Sequence, residues 1–178
     1  MIQKTLLFTV LALATASGAM AQETPRVEIA GVYSGTFHVF GPKCHGGGGT
    51  VSINLNRWFG LTGDVSGCKV TRFSTPLGPF APAGTITQLN YLVGPRVSYR
   101  STWTPYFQVL LGGAHVNSND SLILQGNAFA LAVGFGLEVK LTDRFGIRLI
   151  QPDYLMTRLG SSNREDLRVS TGVVFALR

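Results

Sequence analysis

Few side chains in this 178-residue chain are of the kinds that do chemistry. Two cysteines, Cys44 and Cys68, stand beside three histidines, His38, His45 and His115. In an oxidising compartment the cysteines are expected to form a disulfide closing a loop of about 25 residues, worth roughly 3 kcal/mol. The competing chemistry is a metal site drawn from Cys44, His45, Cys68 and one of His38 or His115. Structural zinc takes ligands in closely spaced pairs and none is present, so no metal ligand is assigned. Histidine beside Ser or Asp can also drive hydrolysis. Yet there is no G-x-S-x-G elbow, no H-E-x-x-H pair and no phosphate-binding glycine loop. The run Gly46-Gly47-Gly48-Gly49 lacks a following Lys-Ser or Lys-Thr and reads as a mobile loop. No catalytic or cofactor-binding residue is assigned.

The most distinctive charges are Glu138 and Arg148, and their role depends on the elements that carry them. Those elements read in steps of two. Phe129, Leu131, Val133, Phe135, Leu137 and Val139 alternate with Ala128, Ala130, Ala132, Gly134, Gly136 and Glu138. This is a strand with one bulky apolar face and one small or polar face. Val27, Ile29, Tyr33 and Phe37 alternate in the same way with Glu28, Ser34, Thr36 and His38. The period returns around residues 51–56, 61–66, 88–93, 107–112, 147–149 and 167–178, which makes eight strands. Each is long enough to supply the roughly 9–11 residues of a tilted transmembrane strand.

A turn at Thr142-Asp143-Arg144 sets Glu138 opposite Arg148, both on the inward face as a cross-strand pair. Asp64, Arg168 and Glu28 are expected to join them in one interior polar network. An eight-stranded barrel leaves an interior just wide enough for side chains, so the network is read as packing rather than as a gate. Strict alternation from Leu149 would put Gln151 and Asp153 on the apolar face. Pro152 cannot donate a ladder hydrogen bond, and a bulge there is expected to turn Asp153 inward or to the interface.

The connections differ in length. Short ones centre on Trp58, Arg100 and Asp143, and longer ones lie near 40–49, 69–83, 115–126 and 160–165. Trp58, Phe59, Tyr99, Trp103 and Phe145 border the short turns, where an interfacial aromatic girdle would sit. Charged residues are only 13% of the chain against 45% hydrophobic, with a mean hydropathy of +0.23. That is far less solvating surface than an ordinary soluble domain carries. The 15 Lys and Arg are scattered rather than clustered on a face, which argues against a nucleic-acid partner.

At the start, Lys4 precedes the apolar run Leu6–Ala14, and small residues lead to Ala19-Met20-Ala21, a cleavage pattern. Residues 1–21 are therefore expected to be a Sec-type export signal, with the mature protein at 22–178. Together these features predict an all-β fold: an eight-stranded antiparallel up-and-down transmembrane β-barrel. Backbone groups in hydrocarbon have no water to bond, so the first and last strands must pair.

The closing stretch Ser170-Thr171-Gly172-Val173-Val174-Phe175-Ala176-Leu177 is similar to the C-terminal sorting signal of outer-membrane barrels. With the eight strands, the chain resembles the small outer-membrane β-barrel family that includes the OmpA transmembrane domain, OmpX and opacity-type surface proteins. The segments Tyr91–Arg96 and Pro105–Gly113 look like that family's fourth and fifth strands. The chain departs from the pattern in ending on Arg178 rather than an aromatic residue. The resemblance implies insertion into the bacterial outer membrane by the barrel-assembly machinery, acting on the last strand. It further implies contact with outer-membrane lipid and lipopolysaccharide, a monomeric state, and a structural or surface-interaction role carried by four extracellular loops. The competing function is a lipid A acyltransferase or deacylase on the same barrel, using the loop-end histidines.

Overall fold

The computed structural model describes residues 25–38, 44–71, 85–118, 126–159 and 162–177. The expected export signal lies outside the described residues, as do residues 39–43, 72–84, 119–125 and 160–161 of the connections. Eight strands account for nearly all of what is described: β1 (Val27–His38), β2 (Cys44–Asn54), β3 (Phe59–Thr71), β4 (Thr85–Ser98), β5 (Trp103–Ser118), β6 (Gly126–Lys140), β7 (Phe145–Leu159) and β8 (Ser162–Leu177). Each pairs antiparallel with its chain neighbours, and β1 pairs with β8 from Val27↔Leu177 to His38↔Asp166, closing the barrel. Closure leaves no unpaired edge, the condition hydrocarbon imposes on a sheet.

The two-residue period sets which side chains face the lumen. On β6, Ala128, Ala130 and Ala132 are buried while Phe129 and Phe135 are 50% and 62% exposed on the outer wall. The same holds around the barrel: Val65, Tyr91, Phe107 and Val173 lie outside, and Asp64, Asn90, Gln108 and Arg168 inside. A protein surrounded by water would not expose so continuous an apolar belt.

Three tight turns join the strands at one end, at residues 55–58, 99–102 and 141–144. In the first, the Asn56 side chain accepts hydrogen bonds from the backbone N–H groups of Trp58 and Phe59, both 2.8 Å. In the third, Thr142 Oγ1 accepts from Phe145 N at 3.0 Å. Such side chains replace the ladder partners that a reversing chain lacks.

Three local expectations are corrected. Gly46–Gly49 is strand, not mobile loop: Gly49 pairs with Gly31 and Val65, and Gly46 with Ser34 and Cys68. A Cβ on Gly46 or Gly48 would collide with the β3 backbone around Gly67 and Val65, so these glycines permit a close strand approach. Glycine hides a strand because it offers no side chain to alternate.

Residues 162–165 of the polar run are also strand. The ladder runs on through Arg158↔Asn163 to Leu159↔Ser162, leaving only residues 160–161 between β7 and β8. Finally, the bulge in β7 falls before Pro152. Leu149 and Ile150 both point outward, opposite the single residue Thr171 of β8. Thr171 Oγ1 donates to the Arg148 carbonyl at 2.9 Å, supporting the bulged rung. The phase change carries Gln151 inward as well as Asp153.

Candidate functional site

The lumen is the most elaborated part of the molecule. From the short-turn end upward it is filled by charged layers and then by an apolar plug. At the mouth, Arg100 grips Glu28 with both nitrogens, at 2.5 and 3.2 Å, and donates to Asn54 at 2.6 Å.

In the next layer Glu138 of β6 accepts from Arg96 of β4 at 2.6 Å and from Arg148 of β7 at 2.8 and 3.0 Å. The Arg96 guanidinium lies 3.7 Å from the centre of the Tyr106 ring. Arg148 reaches across the lumen to Thr50 on β2 at 3.2 Å and also donates to Gln151 at 2.7 Å. Gln151 accepts a further bond from the Tyr106 hydroxyl at 2.6 Å and donates to Asp153 at 2.7 Å.

Asp153 opens the third layer. Arg168 of β8 donates to it at 2.9 and 3.1 Å, to Asp64 of β3 at 2.8 Å and to Ser66 at 2.6 Å. Beyond it, Leu92, Leu110, Ala114, Ala128, Ala130, Ala132 and Leu155 form a buried apolar cluster.

Across the two inner layers Arg96, Arg148 and Arg168 balance Glu138, Asp64 and Asp153, all 7% exposed or less. Charges this deep are tolerable only when every one is paired and hydrogen-bonded. Bidentate arginine forks do this best, because one guanidinium can bridge two walls.

Glu138 and Arg148 therefore stand in direct contact, and Asp64 and Arg168 stand in contact one layer higher, joined through Gln151 and Asp153. Glu28 is the correction: its partner is Arg100 at the mouth, not the central chain of bonds. Barrel shear staggers the inward rungs, so residues sharing a face need not share a layer. Parity alone does not single out Arg96, although it shares the inward parity of Gln88, Asn90 and Leu92 on β4. The phase change at Leu149 and Ile150 hides Gln151 in the same way.

Cys44 and Cys68 form the expected disulfide, with Cα atoms 5.7 Å apart, tying the start of β2 to β3 near the end opposite the short turns. The histidines are not brought together. His45 faces outward on β2, stacked on Tyr33 with its ring nitrogen 3.3 Å from the Tyr33 hydroxyl. His115 faces outward on β5, 2.9 Å from Asn127. Only the backbone of His38 is described, pairing with Asp166. Among the described residues no cluster of three His, Cys, Asp or Glu could hold a metal ion.

At the short-turn end Phe59, Tyr99, Trp103 and Phe145 are each about half exposed on the outer wall. The Trp58 ring lies 5.1 Å from Tyr99 and the Phe145 ring 5.0 Å from Phe175, which adds a sixth aromatic to the band.

Known structures share this architecture. The attachment invasion locus protein Ail of Yersinia pestis superposes with a TM-score of 0.52 at 14% identity, over 84% of this chain and 96% of Ail. Neisserial surface protein A gives 0.59 at 14% identity, over 85% and 96%. OprG of Pseudomonas aeruginosa gives 0.57 at 13%, over 85% and 95%. At such identity the likeness carries the fold alone. A search of curated proteins finds no match. The model of the outer membrane protein beta-barrel domain matches residues 6–175, nearly the whole chain. With eight antiparallel strands closed around a charged interior and an apolar outer wall, the chain belongs to that outer-membrane barrel family.

Proposed function

We propose that the protein is a rigid integral scaffold of the bacterial outer membrane, with a structural or surface-interaction role carried by the connections opposite the short turns. The observation that carries this reading is the set of arginine ties across the lumen. Arg148 joins β7 to β2 and β6, and Arg168 joins β8 to β3 and β7, each arginine 2% exposed. A lumen cross-braced in this way supports the wall and leaves no wide aqueous route, so interaction chemistry falls to the rim. The loops, residues 39–43, 72–84, 119–125 and 160–161, are the surface offered outside. Surrounding lipid and lipopolysaccharide are the partners of the wall, β8 is the segment offered to the assembly machinery, and the barrel works as a monomer.

A sulfated glycan is a reasonable first probe, because Ail was crystallised with the heparin analogue sucrose octasulfate. The test replaces residues 72–84 and 119–125 with Gly-Ser linkers and measures binding of expressing cells to immobilised heparin and to host-cell surfaces. Loss of binding with an unchanged boiled-versus-unboiled gel shift is expected. Retained binding after both replacements, nanosiemens single-channel conductance, or altered lipid A masses in expressing cells would each overturn the reading.

A further inference from the structure

At the short-turn mouth the barrel wall encloses a cavity of 190 Å³ whose charged lining is Glu28, Arg57, Arg100, Lys140, Asp143 and Arg144, with Glu138 as its floor. Its carboxylates are already engaged. Arg100 holds Glu28, Lys140 lies 2.8 Å from Asp143, and Arg96 and Arg148 hold Glu138 at 2.6 and 2.8 Å. Six cations, Arg57, Arg96, Arg100, Lys140, Arg144 and Arg148, thus meet three carboxylates, Glu28, Glu138 and Asp143. The layer above, Arg168 between Asp64 and Asp153, returns one negative charge from farther up the lumen. Among these described residues the mouth keeps a positive excess of about two charges in a partly enclosed recess, where such an excess attracts anions.

Two donors sharpen the point. The Nε–H groups of Arg57 and Arg100 are buried with no hydrogen-bond partner among the described residues. A buried N–H without an acceptor is costly, and both side chains line the cavity. The volume equals the room of about six waters, enough for a phosphate ester. A positive excess draws an anion, and guanidinium forks fit the oxygens of a phosphate monoester or diester.

We propose that this cavity is a phosphate-binding site at the short-turn mouth, with Arg57 and Arg144 as its recruiting side chains. The site lies level with Trp103 and Phe145, at the depth of lipid headgroups. Its occupant is therefore either the headgroup phosphate of an anionic lipid or a soluble phosphate ester.

The test uses the whole mature barrel. In a zwitterionic detergent, glycerol 1-phosphate is titrated and followed by phosphorus NMR and calorimetry. In nanodiscs, phosphatidylcholine alone is compared with a phosphatidylglycerol mixture, and retained lipid is read by native mass spectrometry. Arg57→Gln and Arg144→Gln should each weaken binding at least fivefold. The 55–58 turn is held by the Asn56 side chain, so Arg57→Gln should leave the heat-modifiable gel shift intact. Arg158→Gln, on the exposed far end of β7, should bind as wild type.

Binding in detergent identifies a soluble ester as sufficient. Retention of phosphatidylglycerol alone identifies the headgroup. Failure of both probes to bind, or wild-type affinity in both arginine variants, would overturn the proposal.

Discussion

Arg168→Met is the sharpest probe of the interior. The substitution keeps a long flexible side chain but removes the cation between Asp64 and Asp153, which are 2% and 0% exposed. Four hydrogen bonds are lost: Nε and Nη2 to Asp153, Nη1 to Asp64 and Nη1 to Ser66. Breaking a buried pair by removing one partner typically costs about 3–5 kcal/mol, chiefly because the remaining charge is stranded. Here two are stranded, so a loss at the upper end, about 5 kcal/mol, is expected, or more than a thousandfold in the folding equilibrium. Adding Asp64→Asn and Asp153→Asn removes the stranded charges and should restore at least half of the loss. The assay is reversible urea unfolding in lipid vesicles, followed by tryptophan emission and by the unboiled gel band. Arg158→Met, exposed on β7, serves as the reference and should stay within about 0.5 kcal/mol of wild type. Equal losses for Arg168→Met and Arg158→Met, or a triple variant no better than the single one, would refute the reading of the layer as a paired ionic brace.

Two further pairs of substitutions test the wall. Gly48→Ala places a methyl group against the Val65 carbonyl and Ser66, whereas nothing lies within 4 Å of a Cβ added at Gly31. Gly48→Ala should therefore lower the unfolding free energy read from urea denaturation by at least about 1 kcal/mol more than Gly31→Ala, a gap in the range of ordinary overpacking. Val133→Arg sets a charge on the outer wall halfway along β6 and should cost about 2–4 kcal/mol. Val139→Arg, beside the short turns, should cost about 0–1 kcal/mol; equal penalties would contradict the placement of lipid around the strand centres.

Much of the architecture is legible in the chain because strand alternation is local. A residue's parity depends on its neighbours two positions away, so Phe129 to Glu138 declare both faces of β6 without knowledge of any partner. Short turns are equally local: Asn56 and Thr142 carry their own means of reversing the backbone. Closure follows from parity, since a sheet with a continuous apolar outer face and a polar inner one must hide its edges in hydrocarbon. The pairing of Glu138 with Arg148 needs only the turn at 142–144 and the antiparallel register across it.

What the chain does not declare are the relations between strands distant in sequence. Alternation cannot see Gly46–Gly49, where there are no side chains to alternate, and it loses count at Leu149 and Ile150, where the bulge resets the phase. Shear then decides which inward residues share a layer. It gives Glu28 to Arg100 and brings Arg96 to Glu138 across 42 positions and Arg168 to Asp64 across 104. The cationic recess at the mouth is wholly a product of that staggering, because Arg57, Arg100 and Arg144 come from three separate turns. Period and polarity determine the wall, because they act through nearest neighbours. The contents of the lumen are decided only by closure, because they depend on the angle at which eight strands meet.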